Sequence, residues 1–243
     1  MSTWEVCSTP RDAASVPGEA AWDKVETVVR QGYQPGDLIV FAPAWVDPVG
    51  RLHLGDLIPV EMAGRMDAAK YGRIWEVSIR GARAPETAGL TPVATEELGD
   101  ITIRGFARQP AIVTADVRDR LETVTGMRPS RELAEVGFAP HDCLQITPSP
   151  NQPMRITFPQ VPLGSTLVGY AGLADVFTRR DIRAPGTLAV EIGGREVARV
   201  SPGVDDGWVR FEVATTPGPA DVTFVASAKA PQRLICFAAE ARQ

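Results

Sequence analysis

The chain has 243 residues, 44% of them hydrophobic and 23% charged, with a formal net charge of −5. That composition is globular, with enough apolar bulk to bury a core, and it excludes disorder of the whole. The mildly acidic balance and the absence of any run of like charge give no electrostatic case for nucleic acid or an anionic membrane as a partner.

No window approaches the roughly 20 apolar residues that a membrane helix needs, so no direct membrane insertion is expected. The first 19 residues are polar, are broken by Pro10 and Pro17, and are not built like a signal peptide. As written the chain reads as cytoplasmic; as a fragment of a membrane protein it would be extracytoplasmic. Cys7, Cys143 and Cys236 lie far apart without a CxxC pair, so zinc is not expected; no other metal and no cofactor is expected either. A Cys143–Cys236 disulfide and a pair of buried reduced thiols both remain open.

Residues 1–18 read as a loosely held lead-in, because Pro, Ser and Gly break any periodicity. Trp22, Val25, Val28 and Val29 then recur at helical spacing, and Gly32 stands where a helix stops. The turn Pro35-Gly36-Asp37 leads into Leu38 to Phe41, an unbroken apolar run closed by Pro43 that reads as a strand buried on both faces. A polar loop from Trp45 to Asp56 follows. Leu57 to Ala69 reads as a second helix, and Arg73 to Arg80 alternates as a second strand. Strand, helix, strand in this order is a right-handed crossover unit with parallel strands. Gly81 to Gly99 is a connection, Asp100 to Ala107 another strand, and Ala111 to Ala115 one more, running into a short helix over Asp116 to Thr125.

From about residue 130 short alternating runs are separated by Gly and Pro, the pattern of an antiparallel sandwich. Runs at Met154 to Phe158, Ser165 to Tyr170, Leu188 to Ile192, Val197 to Val200, Val209 to Val213, Val222 to Ser227 and Leu234 to Ala239 give about seven strands, with Gly193-Gly194 as a hairpin turn. The expected fold is α/β plus all-β. It comprises a lead-in over 1–18, a small open and mainly parallel sheet with helices over 19–130, and a jelly-roll-like antiparallel β-sandwich over 131–243.

Ligands of open α/β sheets bind beyond the carboxyl ends of the strands, which puts the Trp45 to Asp56 loop first as a site. Asp47, His53 and Asp56 offer acid and base groups and Arg51 an anion clamp. The plainer reading has the two aspartates capping turns, Arg51 pairing with one of them, and His53 as a structural hydrogen bonder. Arg83 and Glu86, just past the second strand, lie on the same edge. No GxSxG, P-loop, HExxH or dinucleotide fingerprint occurs. In the second half Tyr170 and Trp208 can stack on sugar rings while Asp175 and Arg179 bond hydroxyls; core aromatics and a structural Arg–Asp network are the alternative. His141, Asp142 and Cys143 are contiguous and cannot all face one ligand in an extended segment.

Ala21-Trp22 at a helix start, Pro35-Gly36-Asp37 before an apolar strand, Arg73-Ile74-Trp75 and the late strand from Gly99 to Phe106 together resemble the soluble region that follows the membrane helices in glycosyltransferases of the protein mannosyltransferase type. The resemblance spans about residues 20–108 and lacks that family's membrane segments and catalytic acidic loop. It implies an extracytoplasmic accessory region with a membrane glycosyltransferase as partner. The second half is similar, by strand pattern, to carbohydrate-binding jelly rolls. The expected function is noncatalytic binding of a carbohydrate or glycoconjugate. The alternatives are a hydrolase or transferase acting on a sugar or sugar phosphate through His53, Asp47 and Asp56, and a structural assembly subunit.

Overall fold

The structure is a computed structural model that describes residues 17–174 and 183–243. The chain is mostly β and divides into two compact units, residues 1–62 with 67–110, and residues 63–66 with 111–243. The first unit therefore closes at Pro110 and not near residue 130.

In the first unit, helix α1 (Glu19–Gly32) buries Trp22, Val25 and Val29, the apolar face read from the sequence. Strand β1 (Leu38–Ala42) is buried along its whole length and pairs in parallel with β2 (Arg73–Ile79). The sheet then continues antiparallel through β4 (Ile101–Ala107) to β3 (Ala94–Leu98), in the order β1-β2-β4-β3. It is a mixed sheet, not a mainly parallel one. The expected polar loop is a 3-10 turn at Ala44–Val46 followed by helix α2 (Asp47–Leu54), with Pro48 in its first turn, where its missing N–H costs no hydrogen bond. Gly50 brings α2 onto the sheet, because a Cβ there would run into the ring of Phe41.

The expected helix over Leu57 to Ala69 is reduced to a 3-10 turn at Gly55–Leu57 and a single helical turn, Val60–Ala63. The reason lies in the second unit. There the carbonyls of Gly64, Arg65 and Met66 accept hydrogen bonds from the Asp142 amide (2.7 Å), His141 Nδ1 (3.3 Å) and Trp208 Nε1 (3.1 Å). Three consecutive carbonyls committed to tertiary partners cannot continue a helical ladder.

The second unit is a sandwich of two antiparallel sheets. One sheet has the order β13 (Val209–Ala214), β10 (Thr166–Leu173), β15 (Ile235–Arg242), β8 (Ala139–Ile146) and β7 (Ser130–Val136), with β5 (Val113–Asp116) also paired to β15. The other has the order β12 (Arg195–Val200), β11 (Gly186–Ile192), β14 (Gly218–Ala228), β9 (Met154–Leu163) and β6 (Thr125–Gly126). Gly193 and Gly194, both at positive φ, turn β11 into β12 as the two-glycine signal predicts. Phe224 packs edge-on against Phe158 and tilted against Phe237, which joins the two inner faces.

Strand β15 is buried on both sides. Its inner side chains join the sandwich core, and its outer ones meet a second, thinner layer. In that layer Cys236 is disulfide-bonded to Cys143, with Cα atoms 5.6 Å apart, so of the two thiol readings the bonded one holds. Met66 packs on Val168 and Ala238, and Trp208 borders both clusters.

Replacing Gly50 by Ala improves helix propensity by about 1 kcal/mol, but the collision with Phe41 costs about 1–3 kcal/mol. The net expectation is a lower denaturation midpoint, measured by chemical unfolding of Gly50→Ala. His141 is held neutral well below its ordinary value of 6.5, at about 4, because burial opposes charging; its bond to the Arg65 carbonyl works weakly the other way. The folded state thus binds fewer protons than the unfolded one between these values. The contribution of this residue to stability is full above pH 6.5 and declines as pH falls toward 4, by about 3 kcal/mol in all. Unfolding curves at pH 7.5, 5.5 and 4.5 should show that decline, and His141→Phe should flatten it.

Candidate functional site

The carboxyl ends of the parallel pair β1 and β2 lie side by side, Ala42 opposite Ser78. The chain leaves β1 into the turn that carries Trp45 and leaves β2 through Arg80, which sits at positive φ, and Gly81. The two exits meet: the Arg80 guanidinium stands over the Trp45 ring at 5.7 Å from its centroid. Trp45 is nonetheless 57% exposed. With the exposed Val49 and Leu52 it falls at spacings of four and three residues, so the three form one apolar stripe on the turn and α2.

Beside this stripe Asp47 accepts from Arg51 Nε and Nη2, an i,i+4 pair within α2. Asp56 is held differently. Both of its oxygens accept from Arg30 at 2.7 Å, which keeps its carboxyl below the usual range. The ring of His53 stacks on Trp22, with centroids 5.5 Å apart. The three groups proposed as acid and base thus take separate partners: Asp47 an arginine of its own helix, Asp56 an arginine of α1, and His53 an aromatic ring.

The segment after β2 turns inward. Arg83 lies over the Phe106 ring and reaches Glu76 at 3.1 Å, and Glu86 is half-buried in the 3-10 turn Pro85–Thr87. Glu76 itself is fully buried on β2. Its carboxylate accepts from Thr87 Oγ1, from the Ala84 amide at 2.8 Å and from Arg104 Nη1 at 2.9 Å. Burial works to raise its pKa, but these hydrogen bonds, with the charge of Arg83, hold it below the ordinary value of 4.5. Alternation marks Glu76 only as one face of a strand; no signal in the sequence sets it apart as a buried charge.

In the second unit Tyr170 and Trp208 do come together, their rings parallel within 6° and 5.8 Å apart. His141 stacks on Trp208 at 4.4 Å. The Trp208 ring is therefore engaged in packing, and its N–H is bonded to Met66, so the group serves the outer layer of the sheet. Asp175 and Arg179 lie outside the described residues. Asp142 turns away from this stack to Arg131 and Arg118. Arg118, itself buried, also binds Asp116 and Glu240, and Glu240 binds Arg242, a charge lattice along β5, β8 and β15. Among the described residues the group whose donor atoms could surround a metal ion is Asp23, Glu26 and His53, all within 4.8 Å of one another. No helix among the described residues is long and apolar enough to cross a membrane.

No protein-family model matches the chain, and no curated protein matches it in sequence. Neither comparison points to membrane glycosyltransferases. Solved structures that it resembles in part are carbohydrate-binding modules. The CBM51-2 and INT domains of Clostridium perfringens ZmpB align at 11% identity over 61% of this chain and 36% of that one, with a TM-score of 0.37. The tandem CBM51 modules of Sp3GH98, a family 98 glycoside hydrolase of Streptococcus pneumoniae, align at 11% identity over 74% of each chain, also at 0.37. A CBM36 module solved with calcium and xylotriose aligns at 9% identity over 54% of this chain and all of that one, at 0.34. At identities near 10% and TM-scores below 0.4 these likenesses assign neither a family nor a ligand to the chain.

Proposed function

We propose that the chain binds a glycan or glycoconjugate, without transforming it, at the edge of the first unit where Trp45 and Arg80 meet. The observation that carries this reading is an indole more than half exposed beside a guanidinium. A pyranose ring presents an apolar C–H face and a rim of hydroxyls. An aromatic platform takes the first, and charged hydrogen-bonding groups take the second. Arg80 stands over that platform, and Asp47 and Arg51 follow Trp45 on the helix that continues its turn.

Binding rather than hydrolysis is favoured by the ion pairs. Asp47 and Asp56, the carboxylates an acid–base mechanism would use, are each engaged by an arginine. The buried disulfide supports work in an oxidising compartment, where glycans of cell surfaces and secreted proteins are met.

The test is a screen of immobilised polysaccharides and glycoprotein glycans, followed by titration of any hit. Trp45→Ala should weaken binding about tenfold or more, as removal of an aromatic anchor does, with an unchanged denaturation midpoint because the ring is exposed. Retention of full affinity in both Trp45→Ala and Arg80→Ala would place binding elsewhere and sink the proposed site.

A further inference from the structure

Asp23 and Glu26 stand three residues apart on α1 and so share one face of the helix. His53, near the end of α2, meets that face: one donor atom from each of the three residues lies within 4.8 Å of the other two. Two carboxylate oxygens and an imidazole nitrogen at this spacing need only small side-chain rotations to close on one ion, with water completing the shell.

Two further features prepare the group. The imidazole is stacked at 11° to the ring of Trp22, which is itself buried, so its plane is set by the core and not by solvent. Arg30 donates to Glu26 at 2.8 Å and is clamped by Asp56 through two bonds, so Glu26 is oriented while one of its oxygens remains for another partner. The charges then do not cancel. Asp23, Glu26 and Asp56 are three negative charges against the one positive charge of Arg30, which leaves two, the charge of a divalent cation. Lys24 lines a separate hollow with Glu97 and Asp100.

We propose that Asp23, Glu26 and His53 bind a divalent transition-metal ion, Zn²⁺ by ligand chemistry, and that the ion fastens α2 to α1. The imidazole donor favours zinc over calcium or magnesium, which take all-oxygen shells. The site is independent of the glycan reading and requires no reaction at the metal.

The experiment uses the whole chain stripped with a chelator and titrated with Zn²⁺ by calorimetry, and with Ca²⁺ and Mg²⁺ in parallel. The expected result is saturable zinc binding that raises the thermal midpoint, with Asp23→Asn and His53→Gln each weakening it about tenfold or more. Asp23 is exposed, so its variant keeps the test valid even if His53→Gln disturbs the packing on Trp22. Zinc affinity unchanged in Asp23→Asn, saturation by calcium but not by zinc, or no saturable binding at all would each overturn the proposal.

Discussion

The first unit depends on a buried carboxylate. Glu76 sits in the interior strand β2 with no solvent contact, where an unpaired charge would be prohibitive. Its partners come from two places: Arg104 from the neighbouring strand β4, and Arg83, the Ala84 amide and Thr87 from the segment that follows β2. Removing one charged partner of a buried pair costs about 3–5 kcal/mol, far more than a surface pair contributes. That difference decides which contacts shape the unit. The ion pairs of Arg30, Asp47 and Arg51 decorate it, whereas Glu76 obliges the chain beyond β2 to fold back over the sheet. The fold-back begins at Arg80 and Gly81, both at positive φ, and in turning the chain there it carries Arg80 to Trp45.

The sandwich uses a different device. A strand covered on both faces needs two cores, and β15 has them: the aromatic interior on one side and, on the other, a thin layer made of the disulfide, the Trp208 stack and a charge lattice. The two are unequal in chemistry. The interior is held by apolar burial and ring packing. The outer layer adds charge to small apolar clusters, and its buried ions pair with one another: Arg118 with Asp116, Asp142 and Glu240, and Arg242 with Glu240. Residues 64–66 are tied to this layer because their three carbonyls accept from Asp142, His141 and Trp208.

Much of this was legible in the sequence, and the failures have identifiable physics. The apolar face of α1 follows from periodicity and the buried strand β1 from its unbroken apolar run; most strands from β9 to β14 follow from alternation, and β15, buried on both faces, from another apolar run. The strand β3 and the hairpin of β7 and β8 do not, because Ala94–Leu98 and Ser130–Val136 are largely exposed and charged, as edge strands are. Helix α2 was hidden by Pro48 and Gly50, which read as loop residues. Pro48 is harmless in a first turn, and Gly50 is present for what it lacks, a Cβ that would strike Phe41. The segment from Leu57 to Ala69 erred in the opposite direction: its apolar spacing suits a helix, and tertiary hydrogen bonds to residues 64–66 override it. Of the candidate site, the location at the exits of β1 and β2 was readable from topology, and the partners of each side chain were not.

Those partners divide the Trp45 to Asp56 segment into two faces. A helix of eight residues turns through barely more than two revolutions, so α2 cannot present all its polar groups to one ligand. Asp47 and Arg51, four residues apart, share a side and pair with each other. Trp45, Val49 and Leu52 form the exposed apolar stripe, and His53 is directed at α1. The acid, the base and the anion clamp that look adjacent along the sequence are thereby separated by the helix that contains them. What the strand exits bring together is an aromatic ring with an arginine, and what the helix brings to α1 is an imidazole beside two carboxylates. The first pairing is the one proposed for glycan recognition and the second the one proposed for a cation, and neither requires the other.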